Sequence, residues 1–337
     1  MRRLLLAVLA VALGTVVLPA CGNGGDGEII DGREGNSAQR RPTVTGARGE
    51  SAGAGGSVLG GCAVFPPNNP WNQDVSTFPV HPNSAKYIAS INASGRTKLH
   101  PDFGSDPQSG IPFVLVPEGQ PRVPIAFTEA ADESDPGPYP VPPGAPVEGG
   151  PNADGDRHVL VLQQGACKLY ELFGAFRAAS GWRAGSGAVF DLDSNELRPD
   201  YWTSADAAGL PVLPGLVRYD EVASGTITHA LRFTVSRSQK AFIHPATHFA
   251  SSSSNANLPP MGLRLRLRAD FDTSGYTGAT LAVLEALKKY GMFVADNGTD
   301  WFISGAPDAR WDDDELGQLK NVPGSAFEAV DTGPIIK

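Results

Sequence analysis

The sequence predicts a mainly β fold: an antiparallel, jelly-roll-like β-sandwich with a few short helices at its periphery. Three observations carry this expectation. The 337 residues include 40 glycines and 29 prolines, which divide the chain into short apolar runs separated by turns. Between Thr226 and Arg237, residues Ile227, His229, Leu231, Phe233 and Val235 share one parity, while Thr228, Ala230, Arg232 and Thr234 share the other. Leu263, Leu265 and Leu267 alternate with Arg264, Arg266 and Arg268 in the same manner. Such period-two alternation describes strands with one face on a core and one in water. The alternative is a mixed α+β sheet, because a strand, a helix and a hairpin succeed one another after Met261.

The chain opens with Arg2 and Arg3, an apolar run from Leu4 to Val17, and small residues before Cys21. This is the pattern of an export signal over residues 1–20. Residues 18–21 read LPAC and resemble the lipobox of bacterial lipoproteins. That resemblance implies removal of the signal and acylation of Cys21, the predicted attachment to the membrane. No other run approaches the ~18 apolar residues of a membrane span. Residues 21–61 are expected to form a tether. From Gly22 to Gly61 there are thirteen glycines and almost no large apolar side chains, too little to offset the entropy of ordering. As a random coil, such a tether spans roughly 35 Å.

A single domain is expected over residues 62–337. Within it, Ser84–Ile91 reads as a short helix with Ser84 near its N-cap. Strands are expected at Phe113–Val116, Val123–Phe127, His158–Leu162, Leu169–Phe173 and Ala188–Leu192. The segment Asp132–Gly150, crowded with Pro, Gly and acidic residues, is a long loop of the kind that carries function. Thr277–Tyr290 reads as a helix with Leu281, Leu284 and Leu287 on one side. Lys288 and Lys289 complement its C-terminal dipole, and Gly291 suits a left-handed cap. Met292–Ala295 and Trp301–Ser304 flank Asn297 and Gly298, which predicts a hairpin. A final short helix is expected at Asp312–Leu319.

The formal charge is -9 and becomes -11 when Arg2 and Arg3 leave with the signal. An acidic chain lacks the basic face that nucleic-acid binding needs. With Cys21 assigned to the lipid, Cys62 and Cys167 are expected to form a disulfide in an oxidising compartment. Metal motifs are weak. His244 and His248 have helical spacing, but Pro245 breaks the helix. Asp191–Trp202 opens like a calcium loop, yet Glu196 and Trp202 replace its glycine and its bidentate glutamate. Calcium is the one cofactor left open, through the oxygens of Asp154, Asp156 and Asp191.

No G-x-S-x-G elbow, H-E-x-x-H helix or phosphate loop is present. The candidate catalytic residues are His229, His158, Glu171 and Arg232, expected around one cleft. A histidine in an apolar-walled cleft is kept neutral by desolvation and accepts a proton. A carboxyl between Tyr170 and Leu172 has its pKa raised and can donate one. The adjacent acids Asp220 and Glu221 are further partners. Arg232 is the weakest member, since it has the opposite parity to His229 and needs a bulge to join it. The competing expectation makes His229 a core histidine and Glu171 a surface or salt-bridged residue. Arg264, Arg266 and Arg268 are expected on a solvated face, and most of the five tryptophans in the core.

Residues 215–221 (GLVRYDE), 229–233 (HALRF), 258–262 (LPPMG) and 286–291 (ALKKYG) resemble a group of exported bacterial proteins. The similarity runs across most of Cys62–Val330 and implies one exported unit; it brings no reaction and no catalytic residue. The function expected is a glycan-active enzyme, a polysaccharide hydrolase or lyase with a cleft on the sandwich. The alternatives are a non-catalytic carbohydrate-binding lipoprotein and an envelope structural factor.

Overall fold

The computed structural model describes residues 56–337. The signal, Cys21 and the tether up to residue 55 lie outside the described residues. The described chain is mainly β, arranged in four sheets of which none is closed. The largest has six strands in the order Phe327–Val330, Arg264–Leu267, Met292–Asn297, Leu231–Val235, Phe302–Ser304 and His100–Asp102. A four-stranded sheet runs Ser186–Asp191, Lys168–Phe173, Val159–Gln163 and Phe113–Val116. Ile125–Phe127, Gly181–Ala184 and Phe176–Ala178 make a third sheet, and Val58–Leu59 pairs with Cys62–Ala63 in the fourth.

The mainly β expectation holds, but this is not an antiparallel jelly roll. Leu231–Val235 runs parallel to Met292–Asn297, and Phe302–Ser304 runs parallel to His100–Asp102. Phe113–Val116 and Ile125–Phe127 also find parallel partners. Parallel pairing needs long crossovers, and the helix Gly278–Lys289 supplies one, burying Val283, Leu284 and Leu287 in the core. This part of the chain follows the mixed-sheet alternative. At the helix end Gly291 has φ +65°, and a Cβ there would lie 2.2 Å from the Leu265 carbonyl oxygen. Only glycine fits.

The predicted hairpin across Asn297 and Gly298 does not form. Leu231–Val235 lies between its two arms and pairs with both. Asn-Gly chemistry is local, whereas the central place buries Leu231, Arg232, Phe233 and Val235, and burial wins. Of the arginine row only Arg268 is exposed as expected, paired with Asp270. Arg264 and Arg266 are buried, with Arg264 donating to the carbonyls of Pro70, Gln73 and Tyr290. Arg266 donates to Val75, Phe78 and Glu328. Desolvation drives the Arg264 guanidinium down to about 9. Alternation correctly found two faces but not that both are covered.

Val159–Gln163 is buried along its length because it serves two cores. Leu160 and Leu162 join the main one, and Val159 and Val161 join a second with Tyr139, Tyr170 and Trp182. Trp71, Trp182, Trp301 and Trp311 are all buried. Ser84 begins the helix Ser84–Asn92 rather than capping it, and its Oγ accepts the Ala329 N–H at 2.8 Å. Order also starts earlier than expected, since Gly60 and Gly61, both at positive φ, turn Val58–Leu59 back onto Cys62–Ala63. Cys62 and Cys167 are disulfide-bonded with Cα atoms 5.5 Å apart.

Candidate functional site

Two clusters of charge lie near the two large sheets. The first is a buried polar layer. Arg232, Ser304 and Asp102 stand side by side across three adjacent strands. Arg232 donates from Nη1 to Ser304 Oγ at 2.7 Å and from Nε and Nη2 to Asp206 Oδ2 at 3.1 and 2.8 Å. His158 Nδ1 lies 2.6 Å from Glu148 Oε2, and its Nε2 lies 2.8 Å from the Ala205 carbonyl oxygen. Both partners are acceptors, so both ring nitrogens must donate and the ring is an imidazolium. Burial pushes this histidine down, but the Glu148 carboxylate outweighs it and lifts it to about 9.

Glu171 is completely buried and accepts the N–H groups of Val212 and Leu213 at 2.9–3.0 Å, where the turn Leu213–Gly215 begins. Burial outweighs these bonds and pushes its carboxyl up to about 7. Asp296, half-buried, is also lifted to about 7, by burial and then by the Asp206 charge, against Arg232.

The second cluster surrounds His229. Its Nδ1 faces the Ala230 carbonyl at 2.7 Å, and its Nε2 lies 3.1 Å from both Glu221 Oε2 and Arg218 Nη2. Arg218 donates to Glu221 Oε1 at 2.6 Å, Ser57 Oγ at 2.8 Å and the Leu213 carbonyl at 2.9 Å. Burial alone raises Glu221, but His229 and Arg218 more than reverse it and hold the carboxyl at about 2. Arg218 and Glu221 line a cavity of about 720 Å³ together with Ser57, Phe113, Tyr219 and Thr228. Tyr219 is fixed there by edge contact with Trp311 and by the Arg310 guanidinium over its ring.

The four candidate residues therefore fall into two places. His158, Glu171 and Arg232 share the buried layer around Asp206, while His229 stands behind the Arg218–Glu221 pair and is itself sealed. The expected strand over Thr226–Arg237 shrinks to Leu231–Val235, so His229 precedes it and strand parity does not govern its direction. Glu171 meets neither surface nor cation; it satisfies backbone N–H groups. Arg218 was missed. Its signal was the i,i+3 spacing to Glu221, with Arg218 at the N-cap of the short helix Tyr219–Ala223.

His244 bonds Asp200 at 2.8 Å and His248 bonds the Ala207 carbonyl at 2.8 Å. Asp191 pairs with Lys168. Among the described residues no group of three or more His, Cys, Asp or Glu is placed to hold a metal, and no helix is long and apolar enough to cross a membrane. No protein family, curated protein or solved structure matches this chain.

Proposed function

We propose that the protein is an exported lipoprotein, held to the membrane through Cys21, that binds glycan in the cavity beside Arg218 and Glu221. One observation carries this reading: a fixed, ionised carboxylate and a fixed guanidinium line a cavity that also holds hydroxyls and an immobilised aromatic ring. Carboxylate oxygens accept sugar hydroxyls, and groups fixed in advance lose little freedom on binding. The disulfide suits an oxidising compartment outside the cytoplasm.

Binding is favoured over hydrolysis at this place. Glycoside hydrolysis needs one carboxyl protonated near neutral pH opposite one carboxylate. Glu221 is held at about 2, and Asp308 is held below its usual range by Arg310. The hydrolase or lyase reading rests instead on Asp296, whose carboxyl at about 7 is half-buried near Asp206 and Arg232.

The test is a binding screen of the purified protein against soil and envelope polysaccharides, with reducing ends and unsaturated products followed in parallel. Glu221→Gln is expected to lower affinity roughly 10-fold to 100-fold, the loss of a charged hydrogen-bond acceptor. Turnover abolished by Asp296→Asn would select the enzyme instead. Cys21→Ser is expected to release the protein from membranes; unchanged fractionation and processing defeats the lipid anchor.

A further inference from the structure

A second cavity, of about 600 Å³, adjoins the first. Ile227, Leu267, Ala282, Ala286 and Tyr290 form much of its wall, with Lys288 and Lys289 among its charged lining residues. Thr226 and Thr228 line both cavities. Thr226 is exposed and Thr228 half-buried, and neither hydroxyl makes a hydrogen bond within the protein. At the reach of extended chain, the ridge from Thr226 to Thr228 spans at most about 7 Å. That is comparable to a single sugar unit.

We infer that the two cavities are successive subsites of one groove that takes a linear glycan, not a mono- or disaccharide. This rests on the glycan-binding reading of the first cavity and extends it. The lining argues for a polymer in two ways. The cavities have different surfaces, one rich in carboxylates and hydroxyls and one mainly apolar with two lysines, so two copies of one small ligand do not suit both. The ridge offers unpaired hydroxyls, which suit the polar edge of a chain crossing it.

Occupying a second subsite through a covalent link raises affinity without a new partner, because the second contact is intramolecular. The test measures dissociation constants for ladders of cello- and chito-oligosaccharides, from two to eight sugar units, by calorimetry on the intact protein. Affinity for at least one ladder is expected to climb about 10-fold or more between the disaccharide and the hexasaccharide. Thr226→Trp, an exposed substitution that blocks the ridge, is expected to remove this climb. Lys289→Glu, at the far end, should blunt the climb without touching the disaccharide. A wild-type affinity that does not change with length overturns the groove, as does a climb that survives Thr226→Trp. Either result leaves the glycan-binding reading standing if Glu221→Gln still weakens the disaccharide. Silence toward every length of both ladders defeats the groove and the glycan-binding reading together.

Discussion

The buried layer around Asp206 and the cluster around Glu221 are built from the same parts. Each pairs an arginine with a carboxylate and places a histidine beside an acid, and each arginine is almost wholly buried. They differ in what the carboxylate can still meet. Asp206 is enclosed and spends its oxygens on Arg232 and the Ala208 N–H. Glu221 keeps about a sixth of its side chain exposed, on the wall of a 720 Å³ cavity. The difference teaches that a buried ion pair beside a histidine is not a site until one partner faces space. It also teaches that the alkaline loss of stability belongs to the buried layer, through His158 and Glu171.

The disulfide joins the two regions, since Cys62 opens the second strand of the hairpin whose first strand walls the cavity, and Cys167 sits in the turn between two strands of the four-stranded sheet. Replacing both cysteines by serine is expected to cost about 4–5 kcal/mol in the chain-entropy view, for a loop of 105 residues. Urea unfolding measures it, and glycan affinity should fall in the same variant. A variant that keeps full affinity would show the cavity wall to be independent of the bridge.

Breaking the enclosed pair comes next. Arg232→Met leaves Asp206 buried without its cation and is expected to cost about 3–5 kcal/mol. Glycan affinity, measured where the variant is still folded, should stay within about twofold of the wild type. A large loss of affinity would merge the two regions into one site.

The pH response separates them further. His158, lifted to about 9 from an ordinary 6.5, contributes stability that is complete below 6.5 and lost as pH rises through 9. Glu171, lifted to about 7 from 4.5, adds loss in the same direction between those values. Glu221, held at about 2, contributes stability that is complete above 4.5 and lost as pH falls toward 2. The His158 share is on the order of 3 kcal/mol at most. Chemical denaturation from pH 4 to 10 should therefore show an alkaline decline that His158→Gln flattens. A slope unchanged by that substitution refutes the imidazolium assignment.

The smallest effect belongs to Asp220, exposed and paired with Arg310 at 2.8 Å. Asp220→Asn is expected to change stability by less than about 1 kcal/mol, as open ion pairs do. Thermal melts check this, and a larger loss would give the cavity rim a structural role.

Much of the architecture was legible because local chemistry and tertiary packing agreed. Phe113–Val116 came out at its observed bounds, and the helix Gly278–Lys289 with its Gly291 cap followed from apolar spacing and one positive-φ residue. The disulfide followed from compartment and arithmetic. Illegible were facts about which strand lies beside which. Nothing in Asn297 and Gly298 announces that Leu231–Val235 inserts between their flanking strands, since that choice is made by long-range burial. The site was half legible for the same reason. His158, Arg232 and Glu171 stood out as polar residues among apolar neighbours, and they are indeed buried. Whether a buried residue faces another chain segment or open space depends on what covers it, and residues 204–213 cover these three from a distant part of the chain.

Arg264 carries a lesson for anyone re-engineering this protein. Its LRLR setting looks like decoration on a wet sheet, the kind of position that charge-redesign or solubility schemes substitute first. In the folded chain its guanidinium ties three backbone carbonyls from two separate segments and lies over the Phe293 ring at 4.3 Å. Lysine would keep the charge and lose the planar fork that reaches all three at once. Glutamate would set a negative charge against three carbonyl oxygens in a dry interior. A library that freely varied the polar half of this strand would therefore be sorting for misfolding, with the damage arising at the position that the pattern marks as safest to change.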